Sequence, residues 1–121
     1  MRDFRGCRGS LIRRTRRPRD VSDVVARCLI NAGFKIMGKP SMRSFGKKSG
    51  YTLLFVLAES SLAIHTWPED NLALAQITLE HCNYTRDNTD KAVEFYRLMF
   101  QLFEPSKVTA YTPIVRPVTE G

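Results

Sequence analysis

Thr52-Leu53-Leu54-Phe55-Val56-Leu57-Ala58-Glu59-Ser60-Ser61-Leu62-Ala63-Ile64-His65-Thr66-Trp67-Pro68-Glu69 is the stretch on which the reading of this chain turns. Two apolar segments, Thr52 to Leu57 and Leu62 to Trp67, are separated by a small polar step. The first is a continuous apolar run, the pattern of a central strand covered on both faces. The second reads as a strand ended by Pro68, which has no N–H to give to a ladder. Hydroxyls, carboxylates and an imidazole gather around the step: Thr52, Glu59, Ser60, Ser61, His65, Thr66 and Glu69.

Downstream, Asp70-Asn71 make a turn, and Ala73, Ala75, Ile77 and Leu79 alternate with Leu74, Gln76, Thr78 and Glu80. That period of two is a half-buried strand, with Cys82 on the face of Gln76, Thr78 and Glu80. Asn88 or Thr89 then caps a helix that carries Ala92, Phe95, Tyr96, Met99, Leu102 and Phe103 on one face. Pro105 ends it, Val108 to Thr112 reads as a last strand, and Pro113 and Pro117 mark a tail.

Upstream, Gly38 to Gly50 reads as a basic loop and Phe34 to Met37 as a short strand. Val21, Val24, Val25, Cys28 and Leu29 recur at helical spacing, with Ser22 or Asp20 as cap and Gly33 as stop. Residues 1–20 hold eight arginines with Gly6, Gly9 and Pro18, which suits a basic, poorly ordered arm or a divergent first strand near Ser10 to Thr15. Residues 21–121 make the domain proper. The expected fold is α+β, a two-layer sandwich of an antiparallel or mixed sheet with two helices on one face. Two helices leave the other face of such a sheet open to a second subunit, so a homodimer is expected.

A chain of 121 residues is long enough for one core, and no apolar run approaches the ~18 residues of a membrane span. The arginine-rich start lacks the apolar middle of a secretory signal, and three cysteines, Cys7, Cys28 and Cys82, give neither a disulfide framework nor metal-ligand spacing. A cytoplasmic protein without a metal site is expected; His81 and Cys82 with His65 are too sparse a set. Charge is uneven. Residues 1–50 carry 14 basic and 3 acidic side chains, residues 51–121 carry 5 and 9. Phe4 alone interrupts the arginines with an aromatic ring, which favours a solvated arm over a nucleic-acid surface.

No Gly-x-Ser-x-Gly elbow surrounds Ser60, and no acid partner or oxyanion hole can be assigned, so ordinary serine hydrolysis is disfavoured. The run Ala58 to Glu69, however, closely resembles the processing site of the prokaryotic S-adenosylmethionine decarboxylase proenzymes, which are pyruvoyl-dependent. The resemblance continues through Cys82-Asn83-Tyr84, Asp87-Asn88-Thr89, Lys91-Ala92 and Leu102-Phe103-Glu104-Pro105. It covers roughly residues 50 to 110 and fades before Gly33.

That resemblance implies self-cleavage between Glu59 and Ser60 into a β chain, residues 1–59, and an α chain, residues 60–121. The Ser60 hydroxyl attacks the Glu59 carbonyl to give an ester, and elimination followed by hydrolysis turns Ser60 into a pyruvoyl group. No external cofactor is then needed, because the ketone forms a Schiff base with the substrate and accepts the electron pair released with CO2. By the same resemblance His65 is the processing proton acceptor and donor. Thr52 stands where the family has a supporting serine hydroxyl. Cys82 is the proton donor in decarboxylation, and Glu69 contacts the ribose of the substrate. Ser61 departs from the histidine that most prokaryotic members carry there. The implied activity is decarboxylation of S-adenosylmethionine for spermidine synthesis. The same chemistry on arginine or ornithine is the nearest alternative, and a non-catalytic, basic regulatory or nucleic-acid-binding relative is the other.

Overall fold

A computed structural model of the chain describes residues 1–12, 18–45, 50–58, 60–68, 73–81 and 89–110. In chain order the elements are β1 (Arg2–Arg5), α1 (Pro18–Ala32), β2 (Ser41–Ser44), β3 (Tyr51–Leu57), β4 (Ser60–Trp67), β5 (Leu74–His81), α2 (Thr89–Phe103) and β6 (Lys107–Ala110). The strands form one sheet in the order β2-β3-β4-β5-β1-β6, and every pair is antiparallel. The expected α+β sandwich is what the chain forms, with a purely antiparallel sheet.

Register decides which side chains share a face. Leu53, Ile64 and Ile77 lie in one row across β3, β4 and β5, and Phe55, Leu62 and Leu79 in the next. All six are buried. Onto this face α1 brings Val21, Val25 and Leu29, and α2 brings Phe95, Met99 and Phe103, each set at i, i+4, i+8 and at most 2% exposed. Such a stripe is the surface an amphipathic helix presents to a core, and each large apolar side chain removed from water contributes roughly 1.5–3 kcal/mol. Gly33 closes α1 at φ 104°. Its N–H bonds the Ile30 carbonyl at 3.0 Å and the Phe34 N–H bonds the Leu29 carbonyl at 2.9 Å, the paired bonds of a glycine-terminated helix.

Four expectations are corrected. The first strand is Arg2–Arg5, between β5 and β6, whereas Ser10 to Ile12 form a turn against the end of α2 with Leu11 and Ile12 buried. Arg13 to Arg17 lie outside the described residues. A four-residue strand with Phe4 as its one apolar member has no visible periodicity; pairing on both sides makes it a strand. Helix α1 starts at Pro18, three residues before Val21, where a missing N–H costs nothing in the first turn. Phe34 to Met37 contributes only an isolated bridge, Ile36 to Leu57, and the neighbouring strand is the polar Ser41–Ser44 from the stretch read as a loop. An edge strand needs only one ladder and little apolar content. Finally, β3 is covered on one face alone: Leu54 is 44% and Val56 63% exposed, because both helices pack on the other side. Among the described residues no helix is long and apolar enough to cross a membrane.

Candidate functional site

The open face of the sheet carries a row of polar side chains that follows from register alone. Arg43 of β2 stands opposite Thr52 of β3, Thr52 opposite His65 of β4, His65 opposite Gln76 of β5, and Gln76 opposite Asp3 of β1. Thr52 Oγ1 and His65 Nδ1 are 3.0 Å apart, and Gln76 Nε2 donates to Asp3 Oδ1 at 3.3 Å. Cross-strand neighbours of this kind lie ~4.5–5.5 Å apart at Cβ, which lets a short hydroxyl reach an imidazole with no backbone distortion.

A cavity of about 330 Å³ opens at the Thr52–His65 end, lined by Phe45, Gly50, Tyr51, Thr52, His65, Thr66 and Trp67. Gly50 is required there: a Cβ on it would overlap the Thr66 carbonyl oxygen. This close approach lets the Tyr51 N–H bond Thr66 Oγ1 at 2.9 Å, while the Tyr51 hydroxyl donates to the Leu11 carbonyl at 2.9 Å. Both bonds fix the start of β3 and hence Thr52. The Trp67 ring sits 6.3 Å from the His65 ring, and Phe45 is 57% and Trp67 38% exposed, so the cavity offers two aromatic surfaces beside a paired imidazole. With Nδ1 taken by Thr52, Nε2 of His65 has no hydrogen-bond partner among the described residues. An imidazole held by one nitrogen with the other unengaged is equipped for proton transfer.

Ser60 lies at the other end of β4, opposite Leu57 on one side and His81 on the other. Its hydroxyl donates to the Glu80 carbonyl at 2.5 Å. The ladder is regular through Ser61, and five residues at ~3.3 Å each separate Ser60 from His65 by roughly 16 Å, with the two side chains on opposite faces. The fold therefore brings Thr52 and His65 together and keeps both away from Ser60 within one chain. Glu59, Glu69 and Cys82 lie outside the described residues. Among the described residues no three His, Cys, Asp or Glu side chains gather as a metal site.

Sequence reading missed Gly50, Gln76, Asp3, Phe45 and Trp67 as members of the site. The alternation of β5 already put Gln76 on the outer face, but Asp3 sat in a segment read as an arm, and only long-range pairing joins the two.

The family model described as S-adenosylmethionine decarboxylase matches residues 1–113, a span that includes the segment before Gly33 where the resemblance was expected to fade. The S-adenosylmethionine decarboxylase proenzyme of Pyrobaculum neutrophilum is 38% identical over 68 residues, 55% of this chain and 49% of that protein. The proenzyme of the same name from Pyrobaculum islandicum is 37% identical over the same shares. The chain thus spans about half the length of these curated relatives. The arginine decarboxylase proenzyme of Aeropyrum pernix is 34% identical over 89 residues, 73% of this chain and 62% of that protein. In fold, the crystal structure of the adenosylmethionine decarboxylase from Aquifex aeolicus superposes with a TM-score of 0.67 at 20% identity, covering 89% of this chain and 80% of that one.

Proposed function

Because the chain belongs to the S-adenosylmethionine decarboxylase family, we propose that it is a self-processing, pyruvoyl-dependent decarboxylase cut between Glu59 and Ser60. The observation that carries this reading is the ladder around Ser60. β3 ends at Leu57 and β4 begins at Ser60, which pairs with Leu57 and His81. A cut just before Ser60 therefore removes no strand pair, and the new α chain starts at a residue gripped from both sides. In that respect the chain suits a prosthetic group made from Ser60. Such a group supplies an electrophilic carbonyl and a sink for the electron pair released with CO2.

In this reading the Glu80 carbonyl, which accepts the Ser60 hydroxyl proton in a hydrogen bond, fixes the oxygen that attacks the Glu59 carbonyl. His65 holds or moves a proton at Nε2, and Thr52 sets its ring through Nδ1. Within one chain the intact strand keeps His65 away from the Cα of Ser60, so action of His65 on that atom needs either a bend at the start of β4 or a second copy. Cys82 is assigned the proton donated to the decarboxylated carbon and Glu69 a contact with the substrate ribose, both on the strength of the motif. The Phe45 and Trp67 rings give the cavity surfaces suited to a flat nucleobase.

S-adenosylmethionine is the proposed substrate, the product feeding spermidine synthesis, and the cytoplasm the proposed location. Arginine is the second reading, favoured by the longer alignment with the Aeropyrum arginine decarboxylase proenzyme. Release of CO2 from carboxyl-labelled S-adenosylmethionine, arginine and ornithine by the purified protein tests the choice. Turnover of S-adenosylmethionine that disappears in Ser60→Ala is expected. Turnover of arginine alone would replace the first reading by the second, and turnover of none would contradict both.

A further inference from the structure

We propose that the groove between α2 and the β1–β6 edge is a second binding site, for a small organic carboxylate carried on an apolar body. The groove has a volume of about 480 Å³ and lies on the helix side of the sheet, whereas the Thr52–His65 cavity opens on the other side. Its size falls within the roughly 300–1,000 Å³ of small-molecule sites. Phe4, Val93, Phe100 and Val108 give it apolar walls.

Two independent features single it out. Val93 is 58%, Phe100 50% and Val108 36% exposed, a contiguous apolar surface beyond what the core uses, since Phe95, Met99 and Phe103 already fill the buried face of α2. At one end of this surface stands Arg2, whose guanidinium carbon is 4.3 Å from the centre of the Tyr96 ring. Arg2 Nε is buried and has no hydrogen-bond partner among the described residues. The Tyr96 hydroxyl oxygen accepts the Leu79 N–H at 3.2 Å, and the Glu94 carboxylate of α2 is engaged by Arg97 at 2.6 and 2.9 Å.

Arg2 is half-buried: its Nε–H is out of water without a partner among the described residues and the Tyr96 ring covers one face of the guanidinium, so an anion accepting from the fork of Nε–H and the neighbouring N–H replaces the hydration lost there. Planar, bidentate acceptance of that fork is what a carboxylate offers, and the apolar walls select one with a hydrocarbon or aryl body over a free inorganic anion. The ligand therefore lies with its body against Phe100 and Val108 and its carboxylate at Arg2. The site depends on no residue assigned to processing.

Titration of the full-length, nitrogen-15-labelled protein with 4-phenylbutyrate, followed by backbone amide shifts, tests this. Saturable shifts are expected at Val93 to Gln101 and at Arg2 to Phe4, with none at Trp67. 4-Phenylbutan-1-ol and inorganic phosphate should each bind at least tenfold more weakly, and Arg2→Met, which keeps the stem and removes the charge, should weaken phenylbutyrate at least tenfold. Equal binding of the alcohol, an unchanged Arg2→Met, shifts confined to other surfaces, or no saturation overturns the proposal. So do shifts along α2 that follow protein concentration alone, which would assign the groove to a second copy. If Arg2→Met fails to fold, the comparison of carboxylate with alcohol on the natural sequence decides.

Discussion

A hydroxyl 3.0 Å from an imidazole nitrogen is useful only while the ladder keeps both side chains in register, and Thr52 and His65 are held by the β3–β4 pairing itself. Thr52→Val removes the hydroxyl and keeps the shape. It is expected to slow chain cleavage by ten- to a hundredfold at an unchanged melting temperature, and Thr52→Ser should restore the rate; a time course of cleavage on denaturing gels reads both. A second residue-scale prediction concerns Cys7, 5% exposed and donating to the Phe4 carbonyl at 3.3 Å. Burial pushes its thiol from 9.0 up to about 11. The unfolded chain therefore loses this proton at a lower pH than the folded one. Its contribution to stability is complete below pH 9 and declines as pH rises from about 9 to 11, by a few kcal/mol at most. Urea midpoints measured across that window should fall, and Cys7→Val should flatten the slope.

At the scale of elements, the β3–β4 pair depends on Gly50. Gly50→Ala drives a methyl group into the Thr66 carbonyl, so β3 must shift away from β4. A loss of roughly 1–3 kcal/mol is expected, together with loss of the Thr52–His65 contact, read by thermal melting and by the cleavage rate of the same variant. This hairpin was also the most legible part of the sequence. Both strands were visible as apolar runs, but β4 begins at Ser60 and not at the expected Leu62, and only the resulting two-residue connection sets Thr52 opposite His65. The helices were legible from the spacing of Val21, Val25 and Leu29 and of Phe95, Met99 and Phe103. β1 and β2 were not, because Arg2–Arg5 and Ser41–Ser44 hold too few apolar residues to show a period and become strands only through partners distant in the chain. For the same reason Asp3 could not be joined to Gln76 in advance.

At the scale of the molecule, one face of the sheet is sealed by α1 and α2 while the other presents Leu54 and Val56 to solvent beside the polar row. An antiparallel sheet tolerates one wet face, but two adjacent large aliphatics on its central part favour a covering layer, and a second copy of the same face is the self-complementary candidate. Val56→Glu is expected to convert a dimer to a monomer in sedimentation experiments while leaving the fold unchanged; a natural sequence that already sediments as a monomer would remove the homodimer from the account. Catalysis in this account rests on one covalent event. The most direct test of the account is the intact mass of the purified, denatured protein after prolonged incubation. Two chains are predicted, one of residues 1–59 and one of residues 60–121 whose first residue has become a pyruvoyl group, with Ser60→Ala giving a single uncut chain. A natural sequence that stays whole at 13.8 kDa would contradict it.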